Sequence, residues 1–304
     1  MRAFFSSGLV VLATALASPA YAQITTAEAL AAKKITRLEP ISPWNIDYGD
    51  NRCRLARVFG SDDERHLVSF VQSAPRAGCN LTIAGRYIRP YTTSRKSYLG
   101  MRDNAPMRQL ERAGIGEVAG FGPAIILSSF SLARTEAEEA ADEASKLRYA
   151  GVDPSKAETA NSVTLALGKL ALTFETAALK PALEALNTCT RSMLTEWGLD
   201  PEEHESYRPP RLTHTKELAK AVGRKYPREA LRRRQSGVFQ MRLIVEADGT
   251  VSNCHLEQNT IADSLNSPAC QIAMAVAEME PAEDANGKPL RSFYATTITY
   301  SMNP

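Results

Sequence analysis

The clearest alternation of apolar and polar residues lies between Gly237 and Gly249. On one side of an extended chain fall Phe239, Met241, Leu243 and Val245, and on the other fall Gln240, Arg242 and Ile244. Alternation with a period of two is typical of a strand that buries one face, so we expect a half-buried strand here. Asp248-Gly249 then predicts a tight type I′ turn, and the chain returns as a partner strand from Val251 to Leu256.

Helical patterns lie on both sides of this hairpin. Pro227 suits the first turn of a helix that runs to Leu231, and Gly237 stops it. Pro268 opens a second helix, whose shared apolar face carries Ala269, Ile272, Ala273 and Val276. A last alternating strand carries Thr296, Ile298, Tyr300 and Met302. The order helix, strand, strand, helix, strand predicts an α+β domain with an antiparallel sheet.

The preceding part of the chain is richer in strand patterns. Three predicted strands cover residues 53–59, 66–71 and 80–84, and a hairpin turns at Gly168-Lys169 between residues 162 and 174. Helices are predicted from Thr135 to Arg148, which is rich in Glu and Ala, and from Leu179 to Trp197, where apolar residues recur at spacings of three and four. This part is therefore a separate, β-rich α+β domain.

Two domains are expected in a chain of 304 residues, because chains longer than about 250–300 residues usually divide into more than one hydrophobic core. The patterns divide the chain into a leader segment at 23–43, an N-terminal domain at 44–199 and a C-terminal domain at 216–304. A linker at 200–215, acidic at first and then carrying Pro209-Pro210, separates the two domains. No motif assigns a function to the N-terminal domain.

The first 22 residues have the pattern of a secretory signal peptide. Arg2 precedes an apolar run from Gly8 to Ala17, and an Ala-x-Ala site ends at Ala22. The run is well short of the roughly 20 residues that span a bilayer, and the small residues favour cleavage after Ala22 over an uncleaved anchor. No later stretch is long and apolar enough to cross a membrane. We therefore expect a soluble periplasmic protein with no integral membrane segment after cleavage.

Composition and charge agree with a folded binding protein. Hydrophobic residues make up 44% and charged residues 23% of the chain, as in globular domains. The formal net charge of +2 falls to +1 when Arg2 leaves with the signal peptide. This balance gives no indication of nucleic acid as a partner. In an oxidising periplasm the five cysteines predict structural disulfides, and their odd number leaves at least one unpaired.

Motifs of catalysis, metal binding and cofactor binding do not stand out, so we expect no such sites. The four histidines, His66, His204, His214 and His255, lack metal-ligand spacing and are expected at surface or turn positions. Glu202-Glu-His-Glu205 and Arg232-Arg-Arg234 are interpreted as solvated charge, although an anionic partner could use the arginines. An unrecognised enzyme in the N-terminal domain remains the lesser alternative.

The C-terminal patterns carry a resemblance to a known family. Four segments together resemble the C-terminal domain of the energy transducer TonB. They are Tyr226-Pro227-x-x-Ala230, the strand and turn from Gly237 to Gly249, Pro281-Ala282 and Gly287-Lys-Pro289. The resemblance is closer to secreted TonB-like proteins that carry one cysteine in the second strand and another at the start of the next helix. Those positions are Cys254 and Cys270 here. Fainter matches surround Cys53 and Cys189 in the N-terminal domain.

This resemblance implies a disulfide between Cys254 and Cys270. Cys254 shares a strand face with Leu256, and Cys270 lies in the first turn of a helix that must cover the sheet, so the sulfurs can approach each other. Cys53 with Cys189 is the second expected pair, because both cysteines lie in segments that resemble the family. It would leave Cys79 free. Cys53 with Cys79 is the alternative, in which Cys189 is a buried thiol.

The resemblance also implies a binding function. In the TonB family the last strand is a sheet edge that accepts an extended peptide from an outer-membrane receptor. The matching partner-binding residues here are Thr296, Thr297, Ile298, Thr299, Tyr300 and Ser301. We expect an adaptor that binds a receptor peptide or another envelope protein, without a direct link to an inner-membrane motor. The alternatives are a strand buried in a homodimer or a closed core, and a structural protein that holds peptidoglycan or another subunit.

Overall fold

The computed structural model describes residues 25–31, 34–49, 51–94, 96–110, 113–132, 135, 137–138, 140–141, 147–235, 237–258 and 266–300. The fold is α+β, as predicted, and most of its sheets are antiparallel. The predicted signal peptide and its cleavage site lie outside the described residues. None of the helices in the described part has the length and apolar character needed to cross a bilayer.

The larger sheet of the N-terminal unit contains the three strands that were predicted from the sequence segments around Cys53, His66 and Asn80. It has six antiparallel strands in the order β2-β3-β4-β5-β9-β8. The strands are β2 (Asn45–Gly49), β3 (Arg52–Gly60), β4 (Arg65–Gln72), β5 (Cys79–Ala84), β8 (Gly114–Val118) and β9 (Gly122–Phe130).

A second sheet of five strands includes the predicted hairpin at Gly168. Its order is β1-β11-β10-β6-β7, and β1 runs parallel to β11 while the other neighbours are antiparallel. The segment expected as a leader thus contributes a sheet strand as well as the short helix α1 (Thr26–Leu30). The strands are β1 (Lys34–Leu38), β6 (Tyr98–Arg102), β7 (Arg108–Gln109), β10 (Ala160–Leu167) and β11 (Leu170–Glu175).

The two sheets share one apolar core with a long helix. Phe59 of β3 meets Phe174 of β11 edge to face, with 5.3 Å between the ring centroids. Helix α3 (Lys180–Glu196) buries Leu183, Leu186 and Met193 in this core, as its spacing predicted. The short helix α2 (Arg89–Thr92) and 3₁₀ turns at Arg86–Ile88 and Pro154–Ala157 complete the unit. Of the helix predicted at 135–148, residues 137–138 and 140–141 are helical, whereas 135, 147 and 148 are described and are not helical; Arg148 instead forms a β-bridge with Tyr207.

The C-terminal unit contains the predicted helix, strand, strand, helix and strand in that order, and one further helix that was not predicted precedes them. Its sheet has the order β15-β14-β19, with both pairs antiparallel. The strands are β14 (Gly237–Val245), β15 (Val251–Gln258) and β19 (Ser292–Tyr300), and the helices are α4 (Thr215–Arg224), α5 (Arg228–Arg232) and α6 (Ala269–Val276). Phe239, Met241 and Leu243 of β14 pack into one cluster with residues of α4 and α6.

The predicted type I′ turn at Asp248-Gly249 is wrong. That turn needs positive φ at both central residues, and of the two only Gly249 has it, at +87°. The Asp248 carboxylate accepts hydrogen bonds from the backbone N–H and the hydroxyl of Thr250, at 2.9 and 2.7 Å. These local bonds hold the aspartate in an Asx-type turn, and the glycine alone takes the left-handed conformation.

The segment expected as a linker is packed against the C-terminal unit. Two-residue strands β12 (Tyr207–Arg208) and β13 (Arg211–Leu212) pair with β17 (Ala282–Asp284) and β16 (Met279–Glu280), and β17 also pairs with β18 (Pro289–Leu290). Tyr207 and Leu212 are buried. The division of the chain at residues 199 and 216 remains a prediction, but the segment between them has a fixed path.

Candidate functional site

The last strand, β19, forms one edge of the C-terminal sheet. It pairs with β14 in continuous register, so that Thr297 lies opposite Gln240, Ile298 opposite Phe239 and Tyr300 opposite Gly237. Within the described residues β14 is its only partner strand. An antiparallel edge strand turns the N–H and C=O groups of alternate residues away from its neighbour, where they can pair with another chain. Of the predicted partner-binding residues, five lie in β19, and Ser301 is outside the described residues.

Side chains of β19 alternate between two environments. Tyr294, Ile298 and Tyr300 pack into the core under the helices, whereas Phe293 and Ala295 contact residues of the N-terminal unit. Near the end of the strand, Thr296, Thr297 and Ile298 are half-buried and Thr299 is exposed. The described edge is therefore most accessible in its second half.

Tyr300 fixes the end of this strand. Its ring meets Tyr226 edge to face at 4.8 Å and Phe239 at 5.7 Å between centroids. Its hydroxyl lies 2.8 Å from the Ser267 hydroxyl, and burial raises the pKa of Tyr300. Tyr226 in turn donates a hydrogen bond to the Gln235 carbonyl. These contacts hold the edge in one position, which lowers the entropic cost of docking a second strand.

The expectation of a half-buried β14 is wrong, because the N-terminal unit covers the second face. Ile244 is only 4% exposed and Gln240 only 6% exposed. Ile244 packs with Leu194 and Leu199 at the end of α3. The sequence could not show this, since Gln240 and Arg242 are side chains that ordinarily face solvent.

An arginine and a tryptophan connect the two units. The Arg242 guanidinium lies over the Trp197 ring, 3.9 Å from the ring centroid. Burial lowers the pKa of Arg242 to about 10, and the charge of Glu257 opposes this effect. Arg291 adds a hydrogen bond of 2.6 Å from Nη1 to the Gly198 carbonyl. No local sequence pattern predicts these contacts, because the partners are distant along the chain.

A small pocket lined mainly by polar residues lies between the units. Arg242 Nε and His255 Nε2 are buried beside it without a hydrogen-bond partner in the described structure. Burial, together with the charge of Arg242, lowers the pKa of His255. The lining residues are Asn51, Ser73, Gln240, Met241, Arg242, His255, Glu257 and Ala295.

Three of the four histidines are placed or buried differently from the expected surface or turn positions; one of them is His255, which lies half-buried in β15. His66 lies in β4 rather than at the surface or in a turn, and it is buried between the Glu64 carbonyl and the Tyr87 N–H. His204 does lie in a turn, but it is also buried. Its Nδ1 is 2.7 Å from the Asp200 carbonyl and its Nε2 is 2.9 Å from the Ser292 hydroxyl. Burial lowers the pKa of the His66 and His204 rings.

The cysteines form two disulfides. Cys254 is bonded to Cys270, which ties β15 to α6, and Cys53 is bonded to Cys189, which ties β3 to α3. Cys79 is a free, buried thiol, and burial raises its pKa to about 12. Since the thiolate is the reactive form, this group is chemically protected. Among the described residues, no three His, Cys, Asp or Glu side chains are grouped as a metal site requires.

Comparison with known proteins identifies the C-terminal unit. Residues 222–302 match the family described as Gram-negative bacterial TonB protein C-terminal, a family of non-enzymatic energy transducers and adaptors. No curated protein and no solved structure matches the chain. The matched range begins near the end of α4 and takes in β14, β15, α6 and β19. The chain therefore carries, in residues 222–302, a member of the TonB C-terminal domain family.

Proposed function

We propose that this protein is a periplasmic adaptor that binds an extended peptide along β19. The position of β19 at the sheet edge carries the proposal. A peptide laid beside this strand would continue the sheet and gain main-chain hydrogen bonds, while its alternate side chains would supply specificity. The partner class is the periplasm-facing segment of an outer-membrane receptor, as in the TonB family.

Three features prepare the edge for docking. Tyr300 is fixed by Tyr226 and Phe239, the sheet is braced by the Cys254–Cys270 disulfide, and the N-terminal unit supports Phe293 and Ala295 from behind. An edge held in the bound conformation loses little freedom when the partner arrives. The predicted signal peptide, with cleavage after Ala22, would bring the protein to the compartment where such receptor segments are found.

A proline substitution on the edge tests this proposal. Calorimetry would measure binding of synthetic receptor N-terminal peptides to the full chain and to Thr299→Pro, with Thr299→Val as the matched control. Proline removes one backbone donor, so we expect Thr299→Pro to weaken binding at least about tenfold, while the valine variant binds like the wild type. Thermal unfolding of both variants would verify that the fold is kept.

The outcome separates the competing functions. Absence of peptide binding by the wild type, combined with co-sedimentation with purified peptidoglycan, would support the structural alternative. A concentration-dependent dimer that Thr299→Pro disrupts would show that β19 pairs with a second copy. Either result would overturn the adaptor proposal.

A further inference from the structure

The helices beside the docking edge carry a local excess of positive charge. Residues 215–235 contain eight Lys and Arg side chains and two Glu side chains, a net charge of +6, whereas the whole chain carries +2. All eight cations are exposed. We call this surface the basic patch; it consists of Lys216, Lys220, Arg224, Lys225, Arg228, Arg232, Arg233 and Arg234.

Most of these charges lack an acidic partner. Glu229 pairs with Arg232 and Arg233. The remaining six cations make no ion pair within the described part of the chain. Repulsion among them is a cost to the folded protein that an anionic partner would relieve.

The cations of α4 form a regular row. Lys216, Lys220 and Arg224 follow one another at intervals of four residues, opposite the buried Leu218 and Val222. Four residues advance a helix by roughly 6 Å. Side chains on one face of an extended strand repeat at roughly 6.7 Å. An extended peptide with acidic residues at alternate positions therefore matches this row.

The basic patch is continuous with the docking edge. Tyr226, in the connection between α4 and α5, touches the ring of Tyr300 at the end of β19. Gly237, which follows the patch in sequence, pairs with Tyr300 in the sheet. A peptide that lies along β19 and continues past Tyr300 thus reaches the basic patch.

We propose that the basic patch binds an acidic segment of the same peptide that docks on β19, immediately beyond the part that pairs near Tyr300. This inference rests on the proposed docking function and adds a partner chemistry to it. An anionic lipid surface fits less well, since the apolar side of α4 is buried in the core and Leu231 is the single large exposed apolar side chain of residues 215–235.

Fluorescence anisotropy with six labelled peptides tests the proposal on the full chain. The probes are a receptor N-terminal peptide, the same peptide extended by Glu-Thr-Glu-Thr-Glu at either end, the same extensions with Gln in place of Glu, and the acidic extension alone. The test variant is Lys220→Glu with Arg228→Glu. The matched control is Arg89→Glu with Arg108→Glu, which changes the net charge equally at exposed sites in the N-terminal unit.

We expect the acidic extension to tighten binding about tenfold at low salt when it is attached at one end, the end that lies near Tyr300. The test variant should lose this gain, and the control should keep it. The unextended peptide should bind all three proteins equally, and 0.5 M salt should remove the gain from the wild type.

Other outcomes are decisive in different ways. Equal affinity for the Glu and Gln extensions would overturn the patch proposal while leaving docking on β19 intact. A different result would be that the acidic extension binds, that the test variant weakens this binding, and that the unextended peptide does not bind. This result would contradict docking on β19 and support the basic patch as a binding site. The protein could also bind vesicles with 30% anionic phospholipid, lose this binding in the test variant and show no preference for the Glu extension. This result would overturn the peptide proposal and identify a membrane surface as the partner of the basic patch.

Discussion

The two buried faces of β14 differ in chemistry. On the helix side, Phe239, Met241 and Leu243 pack against apolar residues of α4 and α6. On the side of the N-terminal unit, Gln240 and Arg242 line the polar pocket, and Ile244 packs in a small apolar cluster. The first face closes a core that belongs to the C-terminal unit, while the second is an interface between two units, and such interfaces are more polar than cores. One strand thus serves both stability and the joining of the two units.

Adjacent alanine substitutions provide the strongest test of this difference. Leu243→Ala removes a fully buried side chain from the helix-side core, and we expect it to lower the free energy of unfolding by about 4 kcal/mol. Ile244→Ala should cost only about 2 kcal/mol, because Ile244 packs in a smaller apolar cluster with fewer buried neighbours than Leu243 has. Urea denaturation of both variants measures the two costs. Equal costs would mean that the interface is as tightly packed as the core.

The disulfide on the helix side allows a second comparison. Replacing Cys254 and Cys270 with alanine opens a loop between positions 16 residues apart. The chain-entropy relation gives a loss of about 3 kcal/mol, confined to the C-terminal unit. Differential scanning calorimetry should show a lower unfolding temperature for that unit alone. A matching shift of the N-terminal transition would show that the two units unfold as one.

A pH titration gives the smallest expected effect, on the interface side. Burial lowers the pKa of His204, so the unfolded chain takes up a proton at a higher pH than the folded protein does. Stability that is complete above about pH 6.5 is therefore lost as the pH falls toward the lowered pKa. His204→Gln should reduce this loss, leaving the contributions of His66 and His255. Identical slopes for wild type and variant between pH 7 and 5 would contradict the assignment.

The sequence predicted those parts of the fold that depend on local patterns. The hairpin of β14 and β15, the helix α3 and the edge position of β19 follow from alternation, from spacing and from the family resemblance. The parallel pairing of β1 with β11 could not be predicted, since it joins Lys34 to Leu170 across most of the N-terminal unit. The contact of Arg242 with Trp197 could not be predicted either. A strand face with polar and apolar residues has the same sequence pattern whether it is exposed to water or packed against another unit.

The basic patch was visible in the sequence, but its location was not. Arg232-Arg-Arg234 was interpreted as solvated charge, and its place beside the docking edge follows from the contact of Tyr226 with Tyr300 and from the pairing of Gly237 with Tyr300. That contact joins two parts of the chain that are 74 residues apart, and no local pattern encodes it.

The two disulfides also divide the chain topologically. Because Cys53 is bonded to Cys189 and Cys254 to Cys270, each pair closes a covalent ring, with its cysteines 136 and 16 residues apart. A pulling force applied at the two chain ends would pass through the sulfur bridges and bypass everything inside the rings. Of the three strands of the C-terminal sheet, β14 and β19 lie wholly on the loaded path, whereas the second half of β15, after Cys254, is shielded. Under such a force, β14 and β19 would therefore carry the tension while most of the N-terminal sheets remain unloaded.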